Sequence, residues 1–254
     1  MLEAPRRSQV FNLPIDLSDD YVSWVRSLWQ QNRGAHVVTL NSEMVMQAER
    51  DPQLAATIQQ AELVIPDGAG VVFYLRLRQQ HQQRCPGIEL ASALLAAAAQ
   101  LNLHEPIAFY GGAPGVAEQA ARSWQAQFPS LRLLTFHGYL NPEATEALQQ
   151  TFKAEQPRLI FVGLGVPRQE FWIAQHRHLC PQAIWIGVGG SFDIWAGVKT
   201  RAPVWWCEHN LEWLYRLYQE PWRWRRMLVL PQFALRALVS THTPNRYSAG
   251  DPPA

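Results

Sequence analysis

Six short apolar runs recur along the chain: His36–Leu40, Leu63–Pro66, Ile107–Tyr110, Leu131–Thr135, Arg158–Val162 and Ala183–Val188. Runs this short and nearly unbroken suit strands buried on both faces of a parallel sheet, where neither face carries polar residues. Between them, Met44–Ala61, Gly70–Leu77, Ile88–Leu103, Val116–Phe128, Pro142–Glu155 and Arg168–Leu179 have helical length and spacing. The small side chains of Ala91–Ala99 let a helix approach a sheet closely. This order predicts an α/β fold, a Rossmann-like, mostly parallel sheet flanked by helices. With 254 residues, 48% hydrophobic and 17% charged, the chain can bury a sizeable core in one large domain and still carry a small appendage. The expected limits are 1–204 for the sheet domain, 205–240 for a C-terminal helical appendage, and 241–254 for a frayed tail.

In such sheets ligands sit beyond the carboxyl ends of the strands. Five loops are expected there: Thr39-Leu-Asn41, Pro66-Asp67-Gly68, Gly111-Gly-Ala-Pro-Gly115, Gly163-Leu-Gly-Val-Pro-Arg-Gln169-Glu170 and Gly187-Val-Gly-Gly-Ser191. Glycines let backbone N–H groups approach an anion, and a helix N-terminus adds a favourable dipole. Gly111 and Gly112 fit such a phosphate turn, or equally a plain tight turn. They are not G-x-G-x-x-G, and the next strand ends Leu134-Thr135-Phe136 without the acid of a dinucleotide site. Asp67, projecting from a strand end, is either a helix cap or a general base. Thr39 and Asn41 can orient a sugar or cap the next helix.

Net charge is +1, so any basic function is local. Three scattered cysteines (Cys85, Cys180, Cys207), without C-x-x-C, support neither a disulfide frame nor a zinc site and suit a reducing cytoplasm. The first residues carry charge but no apolar stretch behind it, which argues against a signal peptide. His176-x-His178-x-Cys180 falls on a helical stretch, where residues two apart face different ways. No Asp-x-Asp stands near a strand end to bridge a pyrophosphate through a divalent cation, so arginines are the expected neutralising groups and no metal is expected.

The last third changes character. Seven of the eleven tryptophans lie between Trp185 and Trp224, and from Trp205 to Val239 five arginines face three glutamates. Amphipathic aromatics beside cations suit a boundary between phosphate and apolar surface, although a tryptophan-rich helix can also simply dock on the domain. Trp206, Leu211, Leu214, Leu217 and Tyr218 suggest one helix ending near Pro221; Trp224, Leu228, Phe233 and Leu238 suggest a second, interrupted by Pro231. Arg216, Arg223 and Arg226 share a face if the helix continues.

Taken in order, Thr39-Leu-Asn41, Ile65-Pro-Asp67-Gly68, Gly163-x-Gly-x-Pro-Arg-Gln169-Glu170, Gly187-Val-Gly-Gly-Ser-Phe-Asp193, Arg201-Ala-Pro203 and Glu212-Trp-Leu-Tyr-Arg216 resemble the WecG/TagA/CpsF glycosyltransferases (family 26), from about Phe11 to about Leu238. The resemblance implies an inverting transferase that moves a sugar from a UDP-sugar to a polyprenyl-diphosphate-linked N-acetylglucosamine in cell-surface polysaccharide or teichoic-acid-like biosynthesis. N-acetylmannosamine, its uronic acid and a hexose remain open as the sugar. It implies Asp67 as catalytic base and Thr39 and Gln169 as pocket residues. Asn41, Gly68, Gly111, Gly112, Gly163, Gly165 and Arg201 would line the substrates, and Arg216, Arg223 and Arg226 would grip the lipid diphosphate. It implies no metal or cofactor, no nucleic-acid partner, and a cytoplasmic protein held peripherally on the inner face of the membrane by its appendage. Self-association is also expected. Cys85 and the Trp205-Trp206-Cys207 stretch depart from the family pattern. Two other readings remain: a soluble nucleotide-sugar epimerase or dehydrogenase, and a non-catalytic protein that binds UDP or lipid at the membrane.

Overall fold

A computed structural model of the chain describes residues 4–101 and 103–240, apart from the side chain of Arg223. The tail 241–254 lies outside the described residues. The chain opens with an antiparallel hairpin, β1 (Arg6–Val10) and β2 (Leu13–Leu17), followed by α1 (Tyr21–Gln30) and β3 (Ala35–Leu40). Next come α2 (Ser42–Ala48), α3 (Pro52–Gln59), β4 (Leu63–Pro66), α4 (Ala69–Leu77), α5 (Gly87–Gln100), β5 (Ile107–Gly111) and α6 (Val116–Gln127). Then follow β6 (Leu133–Phe136), α7 (Pro142–Glu155), β7 (Leu159–Gly163), α8 (Arg168–His176), β8 (Ile184–Gly187) and α9 (Ser191–Trp195). The C-terminal segment carries α10 (Val204–Glu208), α11 (Glu212–Gln219), α12 (Trp224–Met227) and α13 (Val229–Ser240).

Strands β3–β8 form one sheet in the order β4-β3-β8-β7-β5-β6, with every neighbouring pair parallel. The six apolar runs are its six strands. Alternate residues serve opposite faces, as the pleat requires. Val37, Ile65, Phe109, Phe161 and Ile186 pack with α1, α5 and α6. On the other face Val38, Leu40 and Val64 meet α2, α3, α4 and α13, while Tyr110, Ile160 and Trp185 meet α7 and α8.

Local chemistry explains where elements differ from expectation. Met44–Ala61 is two helices, because Asp51 caps α3 by accepting the N–H groups of Gln53 and Leu54 at 3.1 Å, with Pro52 at the first helical position. The hairpin has no counterpart among the expected strands. Its Asp16 accepts Arg7 Nε at 2.8 Å and the Val64 N–H at 2.7 Å, which satisfies a donor on β4, an edge strand. The second helix is interrupted as expected, but one turn ahead of Pro231: α12 ends at Met227 and α13 begins at Val229, so Pro231 sits in the first turn of α13, where the N–H it lacks would have no intrahelical partner. From α13, Phe233 and Ala237 are buried against α2 and α4, with Phe233 edge-on to Phe11 at 5.4 Å between ring centroids.

Candidate active site

Because all six strands of the sheet run the same way, the loops after β3, β4, β5, β7 and β8 open on one edge. Asp67 follows β4 directly. Its N–H and that of Gly68 both donate to Leu40 O (3.0 and 3.3 Å), pinning this turn to the end of β3. Gly68, not Asp67, occupies the cap position of α4, and a Cβ there would come within 2.9 Å of Asn41 Cβ. The Asp67 carboxylate instead reaches across the edge: Oδ1 accepts the N–H of Gly87, the first residue of α5, at 2.7 Å. Oδ2 makes no hydrogen bond to a described residue. The residue keeps some exposure, but its carboxyl is shielded. Burial is the largest influence on its pKa and raises it above the ordinary aspartate value; the Glu212 charge acts the same way. The Gly87 N–H, Arg216 and Arg84 oppose the shift without reversing it. Burial, with the charges of Asp67 and Glu89, pushes the neighbouring Cys85 thiol up to about 12, so it stays neutral.

Thr39, buried on β3, donates Oγ1–H to Gly187 O at 3.0 Å, and its methyl packs on Gly87, where a Cβ would lie 2.7 Å away. Its hydroxyl proton is therefore engaged while its oxygen can still accept. The Asn41 side chain caps α2, accepting the Met44 N–H at 3.0 Å. Gly111 (φ 141°) and Gly112 (φ 71°) cross Gly163 so closely that a Cβ on Gly111 would fall 2.4 Å from Gly163 O, and Gly112 N–H donates to that oxygen at 3.2 Å. Gly112 and Gly163 line a cavity of about 230 Å³ together with Leu164, Tyr139, Arg168 and Asp193. Gly165 (φ 75°) has open space where a side chain would be. Gln169, almost fully buried on α8, accepts the N–H groups of Gly165 and Gly189 at 3.1 Å each.

A larger cavity of about 490 Å³ lies next to the Asp67 turn, lined by Arg76, Arg84, Pro86, Glu89, Arg201 and Asn210 among others. Arg201 pairs with Glu89, and Arg84 with Glu212 at 3.1 Å. Glu212 also holds Arg216 at 3.0 Å, so α11 stands beside Asp67. Arg216 and Arg226 do not share one helical face. The chain breaks at Glu220, and Arg226 pairs with Glu43 on α2 at 3.1 Å, whereas Arg216 pairs with Glu212. The Arg223 side chain is outside the described residues. Among the described residues, no three of His, Cys, Asp or Glu converge as a metal-binding group, and no helix is long and apolar enough to cross a membrane.

Residues 8–247 match the model of the Glycosyl transferase WecG/TagA/CpsF family. The chain belongs to that family, and it is a glycosyltransferase. It is 38% identical over 210 residues to the N-acetylglucosaminyldiphosphoundecaprenol N-acetyl-beta-D-mannosaminyltransferase of Bacillus spizizenii, covering 82% of this chain and 80% of that one. The Bacillus subtilis enzyme of the same name is 35% identical over 209 residues with the same coverage. A Staphylococcus aureus counterpart is 35% identical over 205 residues, 80% of each chain. The sequence motifs contain Arg168 and Glu212 but gave neither a role, and Arg84 and Glu89 were not among the site candidates. Arg84 sits in a glutamine-rich loop without periodicity, so nothing local marks it. Glu212 was visible as the i, i+4 partner of Arg216, but its reach to Arg84 was not.

Proposed function

We propose that this glycosyltransferase moves an N-acetylhexosamine, N-acetylmannosamine first among the candidates, from a UDP-sugar to a polyprenyl-diphosphate-linked N-acetylglucosamine, with inversion. The observation that carries the reading is Asp67: a carboxyl group with one oxygen uncommitted, desolvated at the strand-end edge and flanked by Arg84 and Arg216. A general base needs that combination of raised pKa and unengaged lone pair. The names of the mannosaminyltransferase relatives support the sugar and the acceptor.

In this mechanism an acceptor hydroxyl oxygen forms a bond to the anomeric carbon as the bond from that carbon to UDP breaks on the opposite face. The hydroxyl proton passes to Asp67. One displacement by one base inverts the centre, because no covalent sugar–enzyme intermediate intervenes. The Gly112 and Gly163 loops with Arg168 face the charge that grows on the departing UDP. Arg84, Arg201 and Arg216 stand on the Asp67 side, where the acceptor diphosphate would lie. Thr39 and Asn41 frame the strand end next to the base. The exposed aromatics Trp205, Tyr218, Trp222 and Trp224 suit contact with the lipid headgroup region at the membrane surface, without a spanning helix.

The test is a panel of UDP-sugars offered with a polyprenyl-diphosphate-N-acetylglucosamine analogue, read by product mass. A product one N-acetylhexosamine heavier is expected from UDP-N-acetylmannosamine. No product with any donor sinks the reading. Arg216→Ala should raise KM for the lipid acceptor more than for the donor; equal effects would remove the diphosphate role.

A further inference from the structure

Beneath the candidate site lies a chain of buried polar groups that the transfer mechanism does not use. Glu170 on α8 is fully buried, and its Oε2 stands 2.7 Å from Nε2 of His36, which is 2% exposed on β3. Its other oxygen accepts Gln169 Nε2–H at 3.0 Å. That bond fixes which way the Gln169 carboxamide faces, so the Gln169 oxygen meets the N–H groups of Gly165, after β7, and Gly189, after β8. Gly187 makes the arrangement possible: a Cβ there would fall 2.4 Å from Gln169 Nε2 and 2.6 Å from Glu170 Oε1.

A carboxylate with no exposure and a histidine partner is costly to bury unless its lone pairs are engaged. Here both oxygens are, and the result is orientation. An amide whose two ends differ in hydrogen-bonding sense can clamp two N–H donors only in one of its two flips. We propose that the Glu170–His36 pair is a positioning device that locks Gln169 as a clamp between the β7 and β8 loops. Gln169 then serves a nucleoside diphosphate through the loop geometry, with its oxygen spent on backbone and not on a sugar. Arg168, next to Gln169, and Gly163, which opens the β7 loop, line the 230 Å³ cavity that these loops border. The inference rests on the donor reading above.

The experiment uses the full-length protein, calorimetry with UDP and with UDP-N-acetylmannosamine, and thermal melting. In Glu170→Gln the new carboxamide can face either way, so the clamp is no longer fixed. UDP and the UDP-sugar should weaken by the same factor, about tenfold or more, as misplaced binding loops do. The double swap Gln169→Glu with Glu170→Gln allows every hydrogen bond to be redrawn, and should recover the melting temperature lost in the single variant. Unchanged UDP affinity in a folded Glu170→Gln protein overturns the proposal and leaves the pair merely structural. Loss confined to the UDP-sugar also overturns it, since Gln169 would then touch the sugar directly. An unaltered protein that fails to bind UDP removes the donor reading itself, a result distinct from either.

Discussion

The two halves of the C-terminal segment both carry ion pairs to the body, Arg236–Glu49 among them, but differ in what they bury. Helix α13 buries Phe233 and Ala237 to 1% and 0% exposure against α2 and α4. The stretch from α10 to α12 leaves Tyr218 82% and Trp222 72% exposed, and is tied to the body by ion pairs: Arg84–Glu212, Lys199–Glu220 and Arg226–Glu43. Burying one phenylalanine contributes about 1.5–3 kcal/mol, whereas an ion pair as exposed as Arg226–Glu43 is worth about 0–1 kcal/mol; of the three pairs only Arg84–Glu212 is largely buried on both sides. A count of aromatic residues therefore says little about packing. The tryptophan-rich half is the weakly held one, and the half with a single buried phenylalanine is the anchor.

The comparison can be broken most sharply at Phe233. Phe233→Ala should cost about 3–5 kcal/mol in urea unfolding, the range for emptying an aromatic core site. A loss below about 1 kcal/mol would mean that α13 is not an anchor. For the same reason, truncation after Val204 is a poor test of the aromatic stretch, because it also strips Phe233 from the core.

At the sheet edge that the weakly held half approaches, Asp67→Asn should lower turnover about 10²-fold or more. Stability should move the other way. A carboxyl whose pKa is raised by folding binds its proton more tightly in the folded state, so it costs nothing below its unfolded pKa and its full penalty above its folded one. Asp67→Asn should thus raise the melting temperature at pH 7 and have little effect near pH 3. An unchanged rate would make Asp67 only the partner of the first α5 amide. In the unaltered enzyme kcat should fall as pH drops through a pKa above the usual aspartate value of about 3.9.

Glu212→Gln probes the link between the two regions. It removes a negative charge that raises the Asp67 pKa and leaves the Arg84 and Arg216 charges, which lower it, in place. The acid limb of the pH–rate profile should shift to lower pH; an unmoved limb would show that α11 does not stand beside Asp67 during turnover. The smallest effect on folding belongs to Trp222→Ser. Stability should stay within about 0.5 kcal/mol, as at exposed sites generally, while binding to anionic lipid vesicles weakens. A large loss of stability would show that Trp222 is packed after all.

The sheet was legible because parallel strands covered on both sides leave a plain mark: Ile107–Tyr110 and Leu63–Pro66 are apolar throughout. The convergence of five loops followed from strand direction alone. The hairpin escaped because Arg6–Val10 mixes charge and polarity at an edge, and its purpose is clear only once Asp16 is seen on the Val64 amide. Asp67 was legible as a strand-end acid, but the amide its carboxylate accepts is that of Gly87 on α5, twenty residues on, which no local pattern encodes. A shared face for Arg216 and Arg226 needed a helix continuing past Pro221, and α11 ends at Gln219, near Pro221 as the sequence suggested, so the condition is not met.

Ala202 is buried on one side of the aromatic stretch and Phe233 on the other. The intervening chain is therefore a handle with two roots, not a streamer with one. A surface that takes hold of it must also fix the tilt of the body, and with it the direction in which the strand ends point.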